Sequence, residues 1–439
     1  MTARGIMIAA PSSRAGKTSL TIGALRALAR RGVRVGAAKL GPDYIDPGFH
    51  RAAIGRPSPN LDTWAMPPRL LDQVLSHAAE SVDLLLLESA MGLFDGAIGS
   101  PGRSGAASEL AARYRVPVVL VLDVSGQSQT AAAVVRGLAS HEPGVRIVGA
   151  VLGRVGSPRH RQGVAEAVER VGTPVLGALP RDASLALPSR HLGLVQAEEQ
   201  SQLEARIERL ADAVERHVDL SQLVALAEPL SPLGSVAGSE LLPCPGRRIA
   251  LAVDSAFSFT YPHLLASWRS SGASVLPFSP LADEPPPESC DSCWLPGGYP
   301  ELHALRLASA KRFLEGLRHF ARTRPVHGEC GGYMVLGRHL RDASGTQHPM
   351  AGLLDHSTSF AERRLHLGYR RAVLRADGVL GRRGSVVRGH EFHYTTVETP
   401  GSAPPLADVF DAQGQSLGAL GAQRGQVSGS FFHLVAGED

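Results

Sequence analysis

The first half of the chain repeats one pattern: a short, near-continuous apolar run, then enough residues for a helix. The runs are Gly5–Ala10, Val33–Lys39, Asp83–Glu88, Pro117–Asp123, Arg146–Leu152 and Pro174–Ala178. None alternates apolar with polar, so each is expected to be a strand buried on both faces. Amphipathic stretches such as Ser19–Arg31 and Arg161–Val171 fill the gaps. Gaps of that length suit crossover helices, not hairpins. The expectation is an α/β chain with a doubly wound parallel sheet. The pattern stops at "EPLSPLGSVAGSELLPCPGR", from Glu228 to Arg247, whose Pro, Gly and Ser content is that of a linker. A new buried run opens at Ile249–Asp254, and a second α/β pattern follows to the end. With 439 residues, the chain is long enough for two such domains.

Composition removes several classes of function. No apolar run is long enough to span a membrane, and Met1-Thr2-Ala3-Arg4 leads straight into the first strand without the pattern of a signal peptide. Cys244, Cys290, Cys293 and Cys330 are too few for a disulfide framework. A cytoplasmic protein without membrane partners is expected. The net charge is +4 and the pI about 9.0, with lysine only at Lys17, Lys39 and Lys311. The arginines form no concentrated stripe, so no nucleic-acid partner is expected. A small polyanionic substrate suits this balance.

"IMIAAPSSRAGKTSL" places Gly16-Lys17-Thr18 between a strand and a helix, the setting a phosphate loop requires. Backbone N–H groups at a helix N-terminus bind phosphate oxygens. Lys17 would reach the outer phosphates and Thr18 would ligate Mg²⁺, with Ser13 and Gly16 in the loop itself. Pro11 stands where the usual motif has its first glycine. Carboxylates follow the next strands: Asp43 and Asp46 in "KLGPDYIDPGFH", Glu88 and Asp95 in "LLLLESAMGLFDG". Ligands of open α/β sheets sit beyond the carboxyl ends of the strands, and carboxylate oxygens suit Mg²⁺. Asp43 and Glu88 are the stronger metal candidates; Asp95, followed by Gly96, also fits a turn.

In "RPVHGECGGYMVLG", Cys330 has Gly328 two places before it and Gly331 one place after. That spacing fits a nucleophile on a tight strand-to-helix elbow, where neighbouring bulk would collide. The helix N-terminus after it is expected to lower the thiol pKa and favour thiolate. Gly331 N–H would be one oxyanion donor, and Gly298 in "LPGGYPE" the second. The base is expected at His433 in "VSGSFFHLV", read as the end of the last apolar strand. His390 and His393 in "GHEFHY" compete, read as two histidines on one face of a strand; a metal reading lacks a third ligand. Cys290 and Cys293 are read as loop and strand start, with zinc or redox chemistry a lesser alternative.

With both motifs located, the chain resembles from end to end the cobyrinic and hydrogenobyrinic acid a,c-diamide synthases of corrin biosynthesis. The matching stretches are "GPDYIDPGFH", "NLDTWAM", "ESAMGLFDG", "GRVGSPRH", "LPSRHLGL", "AFSFTYP", "PFSPL", "LPGGYPEL", "GECGGYMVLG" and "GSFFHL". "TYPHLLASWRSSGA" looks most like the aerobic-pathway members, which act on metal-free hydrogenobyrinic acid. The resemblance implies a dethiobiotin-synthetase-like P-loop domain over 1–227 that binds ATP and the corrinoid. Beyond the linker, taken as 228–246 from its composition, it implies a class I glutamine amidotransferase domain over 247–439. By motif, Cys330 becomes the glutaminase nucleophile and His433 its base. Lys17 and Thr18 take the ATP phosphates, with Asp43 and Glu88 toward Mg²⁺. Tyr44, Asp46 and Asp95 face the corrin carboxylates, and Arg190 in "SRHLGL" is a further substrate contact. L-glutamine supplies nitrogen, and a homodimer is expected because related ATPase domains pair.

Two positions depart from the pattern. Class I amidotransferases usually carry a glutamate two places after the histidine, and here that position is Val435. Gly153 stands where relatives often have an asparagine associated with adenine recognition. Rival readings are a cobyric acid synthase and a partition or regulatory ATPase. "GPDYIDPGFH" and "GECGGYMVLG" oppose the first, and the Cys–His domain opposes the second.

Overall fold

The computed structural model describes residues 3–99, 102–190, 193–230 and 243–438. It divides into two compact units, Met1–Trp64 with Pro68–Ala237, and Gly238–Asp439 with Ala65–Pro67.

The first unit is built on β1 (Arg4–Ala9), β2 (Val35–Leu40), β3 (Asn60–Leu61), β4 (Leu84–Glu88), β5 (Val118–Asp123), β6 (Ile147–Val155) and β7 (Val175–Pro180). Their order in the sheet is β3-β2-β4-β1-β5-β6-β7, and each of these pairs is parallel. Central strands are buried throughout, as both-face coverage requires. The order reverses beside β1, where a doubly wound sheet opens its ligand crevice. Helices α1 (Lys17–Arg30) and α2 (Asp46–Ile54) start at that edge. Two short strands follow, β8 (Ser189–Arg190) and β9 (Gly193–Leu194). Glu228 and Pro229, the first residues of the expected linker, form β10 and pair with the start of β1. Most of the rest of that linker lies outside the described residues.

The second unit has a six-stranded sheet, β12-β11-β13-β14-β24-β23, formed by β11 (Arg248–Ala252), β12 (Ser274–Phe278), β13 (Ser292–Leu295), β14 (Val326–Glu329), β23 (Ala422–Arg424) and β24 (Val427–Ser430). Beside it are a small sheet of β15 (His339–Arg341), β16 (Gln347–Pro349), β17 (Ser357–Ser359) and β20 (Thr396–Thr399), and a five-stranded antiparallel sheet. The latter, in order β22-β21-β18-β19-β25, uses β18 (His366–Leu374), β19 (Val386–His393), β21 (Ala407–Phe410), β22 (Ser416–Leu420) and β25 (Phe432–Gly437). The run read as one final strand is therefore two. β24 closes against β14 in one sheet, and β25 pairs with β19 in another. Among the described residues no helix is long and apolar enough to cross a membrane.

Candidate functional site

Between β1 and α1 the backbone is left-handed at Arg14 (φ 62°) and Gly16 (φ 98°). Glycine takes that conformation without steric cost. Ser13 is exposed on this loop. Lys17 folds back, and its Nζ donates to Ser12 O at 3.0 Å. Burial, and after it the charge of Lys39, brings the Lys17 ammonium down to about 8. A Cβ on Gly153 would meet Ala15 O at 3.5 Å, an ordinary contact, so that position lies against the loop.

Thr18 lies at the centre of a buried polar cluster. Its Oγ1 contacts Glu88 Oε1 at 2.6 Å and Asp46 Oδ2 at 3.1 Å. Lys39 Nζ donates to Asp46 Oδ2 and, at 2.9 Å, to Glu88 Oε1. Register explains the meeting: Lys39 lies opposite Glu88 across β2 and β4, and Asp46 is the first residue of α2. His50, one turn along α2, contacts Glu88 Oε2 at 2.7 Å and Ser58 Oγ at 2.9 Å. Burial opposes charge on Lys39, yet Asp46, Glu88 and Asp43 outweigh it and hold the ammonium above its ordinary pKa. Burial likewise opposes charge on Glu88, but Lys39 and His50 bring it below the usual carboxylate range. Asp46 is pushed up to about 7 by burial and the charge of Asp43.

Not every expected residue joins this cluster. Asp43 Oδ1 accepts from the N–H groups of Ile45 and Asp46 at 2.8 and 3.2 Å, and its Oδ2 stands 3.8 Å from Lys39 Nζ. Asp46, expected to face the substrate, stands beside Thr18 and Glu88, and Asp43 lies at the edge of the cluster. Asp95 Oδ2 accepts from Gly92 N–H at 2.9 Å, the turn that its neighbour Gly96 suggested. Tyr44 is buried between Asp43 and α2 in the chain. Arg190 is placed only by its backbone in β8; its side chain lies outside the described part of the structure. Lys39 and His50 were missed by sequence reasoning. The available sign was a lysine next to the end of an otherwise apolar strand, in a chain with three lysines. Thr18 Oγ1, Glu88 Oε1 and Asp46 Oδ2 meet as three hard oxygen donors, the kind that Mg²⁺ takes. The donor set fits that ion.

In the second unit, Cys330 occupies an elbow with φ 45° and ψ −104°, a backbone conformation costly for a non-glycine residue. Cys330 N donates to Ser430 O at 2.8 Å, and Gly332 N to Pro296 O at 3.1 Å. A Cβ on Gly328 would lie 2.6 Å from Gly332 C. One on Gly331 would lie 3.0 Å from Gly298 N, so the two expected oxyanion donors are neighbours. One on Gly297 would lie 2.2 Å from His433 Cε1. The Pro296–Gly298 turn therefore borders both the elbow and the imidazole. His433, fully buried, is the second residue of β25, near that strand's start and not at its end.

The electrostatics reverse one expectation. Burial, and then the Glu301 carboxylate, push the Cys330 thiol up; the Gly331 N–H acts the other way and is outweighed. The helix it caps, Gly331–Leu336, has only six residues, too few for a strong end field. Burial and the neighbouring His390 bring His433 down to about 3. The resting pair is a neutral thiol and a neutral imidazole.

The other histidines are arranged differently from the expectation. Burial alternates along β19, which puts His393 with Glu391 on the buried face and His390 on the other. His366, Glu391 and His393 bring ligand-type atoms within 4.8 Å of one another, so a third group does exist. The His366 and His393 rings, however, stack at 4.7 Å with 9° between their planes. Their in-plane lone pairs run parallel and do not converge. Glu391 is taken by Arg370 and by His393 Nε2 at 2.7 Å. Cys290 and Cys293 are buried free thiols pushed up by burial.

Comparison with known proteins agrees with this two-part arrangement. Residues 6–195 match the family described as CobQ/CobB/MinD/ParA nucleotide binding domain. Residues 248–439 match the CobB/CobQ-like glutamine amidotransferase domain. A hydrogenobyrinate a,c-diamide synthase of Mesorhizobium japonicum is 58% identical, covering 99% of each chain. Those of Agrobacterium fabrum and Rhodobacter capsulatus are 57% and 56% identical, again over 99% of each chain. Two sites in two units, each inside the matching family domain, and identity sustained from end to end lead to one assignment: the chain belongs to the hydrogenobyrinate a,c-diamide synthase family.

Proposed function

We propose that this protein uses ATP and L-glutamine to convert the a and c side-chain carboxylates of hydrogenobyrinic acid into amides. The observation that carries the reading is the coexistence in one chain of the Thr18–Glu88–Asp46–Lys39 cluster with the Cys330 elbow. The names of its full-length relatives point to the metal-free corrinoid.

A carboxylate resists an amine because its oxygens leave poorly. In the first unit, a substrate carboxylate oxygen attacks the γ-phosphorus of ATP, ADP leaves, and an acyl phosphate forms. The phosphate loop with Lys17 holds the outer phosphates. Thr18, Glu88 and Asp46 would hold Mg²⁺, which when bound offsets charge on the transferring phosphoryl group. Lys39 balances the carboxylates around it, His50 orients Glu88, Asp43 braces the start of α2 beside the metal ligands, and Tyr44, Asp95 and Arg190 belong to the substrate side.

In the second unit, His433 accepts the Cys330 proton as sulfur attacks the glutamine amide carbon. The neutral resting pair suits this coupled transfer. Gly298 and Gly331 N–H groups receive the developing oxyanion. His433 then gives the proton to the departing nitrogen, ammonia leaves, and water hydrolyses the thioester to glutamate. Ammonia attacks the acyl phosphate and releases phosphate. Two rounds give the diamide.

The test follows product mass for hydrogenobyrinic and, separately, cobyrinic acid with enzyme, MgATP and glutamine. Cys330→Ala is run beside it with glutamine or ammonium. Two successive amidations, abolished in the variant with glutamine and restored by ammonium, are expected. No mass change with either corrinoid would overturn the proposal. A homodimer, expected from the pairing of related ATPase domains, is checked by light scattering on the same preparation.

A further inference from the structure

β25 carries one residue more than its neighbour can pair. Arg388 lies opposite Ala436 and Gly389 opposite Leu434, so Val435 is the extra residue of a β-bulge. It lies two places after His433. Bulges interrupt the ladder, leave backbone groups to be satisfied elsewhere, and re-aim nearby side chains. Buried side chains hold this one at two points. Glu329 Oε1 accepts from Leu434 N–H at 2.7 Å, and His263 Nε2–H donates to Val435 O at 2.9 Å. On the opposite side the chain packs too closely for a side chain: a Cβ on Gly389 would lie 2.1 Å from His433 O.

Glu329 is also the residue before Cys330. One carboxyl group therefore ties the strand that delivers the nucleophile to the strand that delivers the base. At 3% exposure, such a group is costly to bury without a partner.

We propose that Glu329 and His263 are positioning residues for glutamine cleavage, fixing the Val435 bulge and thereby aiming the His433 imidazole at Cys330. The inference rests on reading Cys330 and His433 as nucleophile and base. A glutamate at position 435 would orient the ring by touching it; these two residues orient it through the backbone. Burial raises Glu329 to about 8, so near neutral pH the group is an uncharged acceptor and glutamine is a close replacement.

The full-length enzyme is assayed on hydrogenobyrinic acid with glutamine and with ammonium. Glu329→Leu is expected to lower kcat with glutamine about 10²-fold, the scale of a misplacement near 1 Å. Its KM for glutamine and its ammonium-dependent rate are expected to stay near wild type. Glu329→Gln should keep wild-type glutamine turnover within about threefold, since its carbonyl still accepts from Leu434 N–H. Wild-type glutamine turnover in Glu329→Leu overturns the proposal, as does a Glu329→Gln loss as deep as that of Glu329→Leu. If Glu329→Leu loses the second unit's thermal transition, that unit has unfolded, and His263→Phe decides. That variant removes only the donor to Val435 O; a selective fall in glutamine turnover supports the proposal, and unchanged turnover sinks it. Cys330→Ala and His433→Asn test the underlying reading separately: glutamine-dependent amidation surviving in either refutes that reading, whatever the positioning variants do.

Discussion

Thr18 Oγ1 lies 2.6 Å from Glu88 Oε1, across seventy positions of sequence. The contact joins the first turn of α1 to the carboxyl end of β4, tying the helix that follows the phosphate loop to the carboxylate that faces it. Glu88→Gln keeps the shape and removes the charge. Amidation is expected to fall by about 10²-fold or more with glutamine or ammonium alike. Hydrolysis of glutamine to glutamate should persist. Measuring both on one preparation checks this; loss of the glutaminase alone would contradict it.

Lys39 is 1% exposed and balances Asp46 and Glu88. Replacing it by Met leaves two buried carboxylates without their cation. Breaking a buried ion pair from one side costs about 3–5 kcal/mol. A thermal or denaturant scan should show the first unit's transition lowered by that amount and the second unit's unchanged. A shift under about 1 kcal/mol would mean that solvent reaches the cluster.

Four buried histidines set the acid limit of the second unit. Burial holds His263 and His356 at about 4, and His327 and His433 at about 3, below the free value of 6.5. Between those limits the unfolded chain binds more protons, so stability rises with pH. This contribution is complete above about pH 6.5 and is lost as pH falls through 4 to 3. Glu329 has the opposite sign: raised from 4.5 to about 8, it costs stability as pH rises across that span. The lowered histidines, His366 among them, outnumber Glu329 and place the optimum near pH 6.5. Urea midpoints from pH 4 to 8 test the shape, and Glu329→Gln should remove the decline on the alkaline side.

Glycine positions separate packing from conformational freedom. A Cβ on Gly332 would lie 1.9 Å from Leu295 O, whereas one on Gly137 meets nothing within 4 Å. Gly332→Ala should destabilise the second unit by about 1–3 kcal/mol or more and abolish glutamine-dependent turnover while ammonium still works. Gly137→Ala, inside the helix Thr130–His141, should stabilise the first unit by about 0.5–1 kcal/mol. Calorimetry of the two variants settles both signs.

The parallel sheet of the first unit was legible because strands covered on both faces read as unbroken apolar runs. The antiparallel sheet from His366 to Gly437 was not, because the buried face of a strand such as β19 carries Gly389, Glu391 and His393, so alternation in burial does not show as apolar against polar. The elbow could be read from Gly328, since the collision it avoids, with Gly332, is local; the neighbours that Gly331 makes room for, Pro300 and Gly298, are distant in sequence. Lys39 and His50 could not, because their partner Glu88 comes from a distant strand and only register brings it near. The Val435 bulge left no mark for a similar reason: whether a residue is extra depends on the strand opposite.

The neutral state of Cys330 bears on how long the protein survives in oxidising surroundings. Peroxides and alkylating agents attack thiolates far faster than thiols. A sulfur kept protonated by burial is chemically quiet while the enzyme waits, and it becomes a nucleophile only with an amide carbon in reach. Peroxide should inactivate resting protein slowly at pH 7, with the rate climbing only well above the range where an ordinary cysteine ionises.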